Sequence, residues 1–302
     1  MPRRILFLII FLIVAAALLF VPLPIPPTYA GRTIENAGHT PLFTMITLVV
    51  LVFLRRDFRK EGARLYGLAF VIGTGSGLLS EAIQYPLRRD PSWEDVISDV
   101  VGVLIGLALF ALFDRRTPFG RGARVLAACV VLVGAAIYLT PLVNMTRAYL
   151  HRNGQFPVIA NFRSEAELSW VVGYGVNRSL VRDALDVEFW ADEFPGVSLF
   201  EPVPDWSGYR TLVVDVENPD ADPLVFTIRV HDRGHGKFFN DRFNRGFDLA
   251  PMERRTFRIA LEEIQRGPKQ RLMDMRQISD ITVFRGTRAG SRHMRLYSVR
   301  LE

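Results

Sequence analysis

Six residues with chemistry to offer crowd positions 80–99: Glu81, Gln84, Arg88, Arg89, Asp95 and Asp99. They lie between two long apolar runs. A carboxylate held near another carboxylate in an apolar setting keeps its proton more tightly and can serve as a general acid or base. A neighbouring guanidinium does the opposite and neutralises it. Charge of this density beside a bilayer is expensive, so it marks a functional site by default. Glu81, Asp95 and Asp99 are the catalytic candidates, with Arg88 or Arg89 as counter-ion. Two readings stand: an ion network that fixes a helical hairpin, or a site for a ligand or a reaction. His39, in the preceding apolar run, is either an interfacial pairing residue or a further binding residue.

The elements that must hold these groups are membrane helices. Apolar runs cover residues 5–21, 37–54, 65–83, 96–113 and 125–143, each about the length that crosses a hydrocarbon core of ~30 Å. The first, behind Arg3 and Arg4, also fits a signal segment with Thr28-Tyr29-Ala30 as a weak cleavage site. An uncleaved helix is preferred, ended by the prolines of 21–27. Lys and Arg number 2, 5 and 4 in the amino-terminal stretch, second loop and fourth loop, against 1 and 2 in the first and third. The positive-inside rule then places the amino terminus in the cytoplasm. It places the loop around 86–91, and everything after 143, outside the cell membrane. The expected fold is multi-domain. A transmembrane bundle of about five helices covers 1–146, a linker 147–155, and an all-β jelly-roll sandwich 156–302.

Charge separates the halves. Residues 1–146 carry 14 Lys and Arg against 9 Asp and Glu, and residues 147–302 carry 23 against 22. The basic excess belongs to the membrane half, not to a soluble module, which argues against a nucleic-acid partner. Membrane lipid is the expected surrounding. Cys129, the one cysteine, excludes an intrachain disulfide and a cysteine-based metal site. Neither a metal nor another cofactor is expected.

Helical spacing puts Gly73, Gly77, Glu81 and Gln84 on one face, and Asp95, Asp99, Gly102 and Gly106 on another. Both glycine pairs are GxxxG, which lets helices approach closely. The third and fourth helices are therefore expected to pack along these faces, with Glu81, Gln84 and Asp99 turned inward. Residues 35–113 resemble the VanZ-like membrane family. The resemblance lies in Glu81 and Gln84 ending one helix, Arg89 in the loop, Asp95, Asp99 and Gly102 opening the next, and His39 early in the preceding helix. Asp99 stands where many members have Asn. The family implies a bacterial cell-envelope protein, and its naming member is associated with resistance to the glycopeptide teicoplanin.

After residue 154 short alternating runs replace the long apolar ones. Strands are expected at 156–162, 168–172, 186–190, 197–200, 210–217, 224–232, 237–243, 255–260, 280–284 and 294–301. Helical turns are expected at 261–266 and 272–278. This half resembles the galactose-binding-like jelly rolls, which include carbohydrate-binding modules. Asp205-Trp206-Ser207-Gly208 leading into a strand, Phe226 to Asp232, Asp241-Arg242-Phe243 and the terminal run 295–301 carry that resemblance. It implies an envelope glycan or lipid-linked glycan as partner. Sugar sites pair aromatic platforms with planar polar groups, which makes Trp190, His231, Asp232, Phe239, Asp241 and Arg242 the binding candidates. Core packing for Trp190, and a surface ion pair for Asp241 and Arg242, are the plainer readings. An intramembrane acid/base enzyme using Glu81 with Asp95 or Asp99 is the alternative function, and an assembly factor binding an envelope protein is another.

Overall fold

A computed structural model describes residues 2–20, 28–84, 93–116, 119–191, 193–236, 238–286 and 290–302. They form two compact units, Met1–Met145 and Thr146–Glu302.

The first unit is helical: α1 (Pro2–Phe20), α2 (Tyr29–Arg56), α3 (Gly62–Gln84), α4 (Trp93–Phe113) and α5 (Arg121–Gln155). Among the described residues α2 to α5 are the helices long and apolar enough to cross a membrane. Their bounds differ from expectation most at two ends. α2 opens at Tyr29, well before 37, because Thr28 caps it: Thr28 Oγ1 accepts the Gly31 N–H at 2.9 Å. His39 therefore lies about three turns inside the helix rather than at its start. α5 continues past 143 to Gln155, and the boundary between the units falls within it. Residues 147–155, expected as a linker, are helical. Nothing breaks the helix until Phe156-Pro157, where the residue before proline is pushed out of helical geometry.

Close packing of α4 organises this unit. A Cβ added at Gly73 would stand 2.9 Å from Val103 Cγ2, and one at Gly77 2.8 Å from Asp99 Oδ2, so this pair faces α4 as expected. Gly102 and Gly106 do not face α3. They face α2, where an added Cβ would stand 2.4 Å from the Thr40 carbonyl oxygen and 2.8 Å from Thr47 Cβ. The reason is polar. Thr40 and Thr44 donate from α2 to the carbonyl oxygens of Ser98 and Gly102, both at 3.1 Å, and such bonds need backbones in near contact.

The second unit holds β1 (Val158–Ala160), β2 (Val171–Tyr174), β3 (Val176–Leu180), β4 (Leu185–Phe189), β5 (Gly196–Phe200), β6 (Thr211–Glu217), β7 (Leu224–Asp232), β8 (Phe243–Leu249), β9 (Arg254–Ala260), β10 (Ile278–Arg285) and β11 (His293–Leu301). One sheet runs β3-β4-β11-β6-β9, with β1 also on β11; the other runs β2-β5-β10-β7-β8. All pairings are antiparallel. Both sheets contribute to one core around Trp206, Phe162, Phe226, Leu185 and Leu199. The helical turn α6 (Leu261–Gln265) follows β9 as expected. Four expectations need correction. Residues 238–242, expected within a strand over 237–243, are not one; β8 begins where that run was to end. Residues 165–170 form a 3-10 turn before β2. Residues 272–277 are irregular rather than helical. β3 was not anticipated.

Candidate functional site

In the helical unit, α2, α3 and α4 bring His39, Glu81 and Asp99 together. His39 Nδ1 lies 2.9 Å from Asp99 Oδ1. Asp99 is 1% exposed and Glu81 6%. Asp99 Oδ2 has no hydrogen-bond partner among the described residues. One ligand atom from each of the three lies within 4.8 Å of the others. An imidazole nitrogen with two carboxylate oxygens can hold a divalent ion such as zinc. Without a metal, the same trio can hold and pass a proton between imidazole and carboxylate. Asp95 lies one turn before Asp99 on α4, and Gln84 closes α3. Arg88 and Arg89 lie outside the described residues.

A second ionic site sits at the far end of the same helices. Arg55, at the end of α2, donates from Nη1 to Asp114 Oδ1 at 2.7 Å and from Nη2 to Oδ2. The Tyr66 hydroxyl donates to Oδ2 at 3.2 Å, and the Arg116 backbone N–H to Oδ1 at 2.9 Å. The Arg55 guanidinium lies 4.7 Å from the centre of the Phe110 ring. The sequence offered no motif for this site, since Arg55 and Asp114 stand 59 residues apart and each is an ordinary charge at the end of an apolar run.

In the sandwich, the outward face of β2-β5-β10-β7 carries a groove of about 250 Å³. Tyr174, Phe194 and Phe284 line it with Arg229, His231, Asp280 and Thr282. Strict alternation on β7 points Leu224, Phe226, Ile228 and Val230 inward, leaving Arg229 and His231 on the groove face. Gly196 stays bare for lack of room. A Cβ there would stand 2.3 Å from the Val283 carbonyl oxygen. His231 Nδ1 lies 3.0 Å from Ser279 Oγ, and its Nε2 3.5 Å from Asp280 Oδ2. Its ring stacks on His235 with centres 4.5 Å apart.

The other sandwich candidates divide. Asp232 is buried and forked by Arg271, whose Nη1 and Nη2 reach it at 2.6 and 2.7 Å. Burial pushes Asp232 up, but Arg271 and the Asp274 N–H outweigh it and hold the carboxyl below its ordinary range. Asp241 accepts from the Gly236 N–H and from Arg271 Nε, both at 2.6 Å, and is held low by them in that order. Both aspartates are thus occupied by Arg271. Arg242 and Phe239 line a wider cleft of about 640 Å³ with Asn244 and Lys269. Trp190 is 67% exposed rather than packed in the core, and it does not line the groove. Tyr174, Phe194, Arg229 and Phe284 were missed in the sequence. The alternation that marks His231 also marks Arg229, whereas the aromatics depend on the sheet order.

No protein-family model matches this chain, and no curated protein matches it either. Among solved structures, an exo-β-agarase is similar over 48% of this chain and 24% of its own, at 12% identity and a TM-score of 0.40. A family 11 carbohydrate-binding module from Clostridium thermocellum, in complex with a β-1,3-1,4-mixed-linked tetrasaccharide, is similar over 48% of this chain and 93% of its own, at 14% identity and a TM-score of 0.37. A family 29 carbohydrate-binding module from Piromyces equi is similar over 44% and 80%, at 13% identity and a TM-score of 0.30. The chain spans about a quarter of the agarase's length. Apolar helices that suit a membrane followed by an antiparallel β-sandwich define the class of this protein.

Proposed function

We propose that this chain is a membrane-embedded cell-envelope protein that binds a glycan, or the glycan part of a lipid-linked glycan, on the open face of its sandwich. The observation that carries this reading is the groove. Three aromatic rings, Tyr174, Phe194 and Phe284, stand beside planar or hydroxyl-bearing polar groups, Arg229, His231, Asp280 and Thr282. A pyranose has an apolar face for the first set and a hydroxyl rim for the second. The excess of Lys and Arg in alternate loops supports placing the sandwich outside the cell membrane. The resemblance of 35–113 to the VanZ-like family adds a link to teicoplanin resistance. Titration calorimetry of the full chain in detergent micelles against mixed-linkage β-glucan, agarose and peptidoglycan oligosaccharides tests the binding. Tyr174→Ala is expected to weaken it about tenfold, the worth of one stacking contact of ~1.4 kcal/mol. Absence of binding to any of the oligosaccharides sinks the reading.

A second reading rests on His39, Glu81 and Asp99. Their convergence supports proton transfer or ion binding within the helical unit. Teicoplanin susceptibility of cells expressing the chain, compared with cells expressing Glu81→Gln, checks it together with the family link. Equal susceptibility in the two, at equal protein levels, counts against it.

A further inference from the structure

Two arginines at the open face of the sandwich, Arg229 and Arg242, make no ion pair with a carboxylate among the described residues. Several arginines elsewhere in this unit pair with acids: Arg245 with Glu263, Arg254 with Asp215, Arg258 with Glu302, Arg295 with Asp186, and Arg271 with Asp232 and Asp241. Arg178 and Arg285 spend terminal nitrogens on backbone carbonyls instead. Arg229 donates from Nε to Asn244 Oδ1 at 3.0 Å and lies over Phe284, 4.5 Å from the ring centre. Its two terminal nitrogens are left at the groove. Arg242 lies 5.3 Å from the centre of the Phe239 ring, and its buried Nε makes no hydrogen bond.

Asn244 links the two arginines. Arg229 pairs with Asn244 across β7 and β8 and donates to its side chain. Arg242 stands in the bend two residues before Asn244 and lines the wider cleft with it. The acids close by are already engaged. Asp280 accepts from Ser198 Oγ and lies beside His231, while Asp241 is held by Arg271. Burial, then the charge of Arg242, pulls Arg229 down to about 10, against a smaller opposing pull from Asp280. Burial lowers Arg242 as well. Two partly desolvated guanidiniums side by side repel each other, and an incoming anion with two oxygens relieves both at once.

We propose that Arg229 and Arg242 form an anion subsite beside the aromatic groove, so that the glycan bound there is acidic, carrying carboxylate, sulfate or phosphate groups. This rests on the glycan reading above. Phe284 and Phe239, under the two guanidiniums, fix their planes and leave the edges to make bidentate bonds.

The test uses the full chain in detergent micelles and four short probes of matched length. Oligogalacturonate carries carboxylates, sulfated oligogalactan carries sulfates, oligo(glycerol phosphate) bearing sugar carries phosphates, and mixed-linkage β-glucan oligosaccharide is neutral. At least one anionic probe is expected to bind ten times more tightly than the neutral one. Which anionic probe wins identifies the group. Arg229→Gln and Arg242→Gln should each remove that tenfold preference, while Arg258→Gln, which deletes the same charge from the other sheet, should keep it. Unchanged melting temperatures ensure that the variants are folded. Arg242, on the rim, serves where Arg229→Gln fails to fold. A neutral probe that binds as well as the charged ones, or a preference that survives both substitutions, overturns the anion subsite and leaves glycan binding intact. Failure of all four probes overturns both.

Discussion

The two ends of the helical unit each bury a carboxylate against a basic side chain, and they are built to different ends. Asp114 spends both oxygens, on Arg55, Tyr66 and the Arg116 N–H, and Phe110 covers the guanidinium. Asp99 spends one oxygen on His39 and leaves the other without a hydrogen bond among the described residues, with Glu81 close by. From Asp99 to Asp114 along α4 is roughly 22 Å at ~1.5 Å per residue, most of a hydrocarbon core. A carboxylate with both oxygens bonded at one end fastens α2 to the end of α4. A pair with a spare oxygen and a second carboxylate at the other end has room for an ion, a proton or a polar group. The teaching is that burial of charge alone does not mark a reactive site; the surplus of unspent acceptors does.

Substitutions can break or sharpen that contrast. The largest effect is expected at the saturated end. Arg55→Ala strands Asp114 and should cost about 3–5 kcal/mol, read as loss of folded protein in urea titration of micellar samples. Gly102→Ala comes next. Its methyl meets the Thr40 carbonyl at 2.4 Å and should cost about 1–3 kcal/mol through overpacking. Gly75→Ala, with open space around it, should be neutral in the same titration. Asp99→Asn keeps the shape and the acceptor facing His39 while removing a charge from a carboxylate-rich site, so its cost should stay below about 1 kcal/mol. A loss as large as that of Arg55→Ala would make the two ends alike.

The sandwich supplies a saturated pair in water for comparison. Asp232 has its folded pKa held below the ordinary 3.8 by Arg271 and the Asp274 N–H. A depressed carboxylate contributes stability above its unfolded pKa and loses it as pH falls through the lower folded value. The contribution should therefore persist at pH 5 and fade below about pH 4, in an acid titration followed by tryptophan fluorescence. In Arg271→Gln the acid transition should move to higher pH. A transition that stays put would show that Arg271 does not hold the carboxyl low.

Much of this was legible because it is periodic. The strand at 224–232 is legible to the residue, since Leu224, Phe226, Ile228 and Val230 alternate as apolar, buried side chains. The convergence of Glu81 and Asp99 followed from residues four apart on glycine-lined faces. The strands misread or missed, β3 and β8, are both sheet edges. Edge strands answer to solvent on one side and carry polar residues that blur alternation, as Asn177, Arg178 and Ser179 do in β3. The partner chosen by Gly102 was illegible, because a small face states that something comes close and not which helix. Arg55 and Asp114 were hidden by distance in sequence, and each alone is an ordinary loop charge. The aromatic wall of the groove comes from two strands and the loop before β5, and no single run of residues announces it.

The place of β11 has a consequence for the order of synthesis. This strand holds β4 and β1 on one side and β6 on the other. The first sheet therefore has no middle until residues 293–301 have emerged from the ribosome. β4 and β6 must wait, with apolar faces uncovered, for a partner made long after them, and such long-range pairing is slow. A chain stopped at residue 290 should stay open to protease throughout 156–290, in contrast to the full chain, and a resistant core in the shortened chain would show that the sheet assembles from its own first strands.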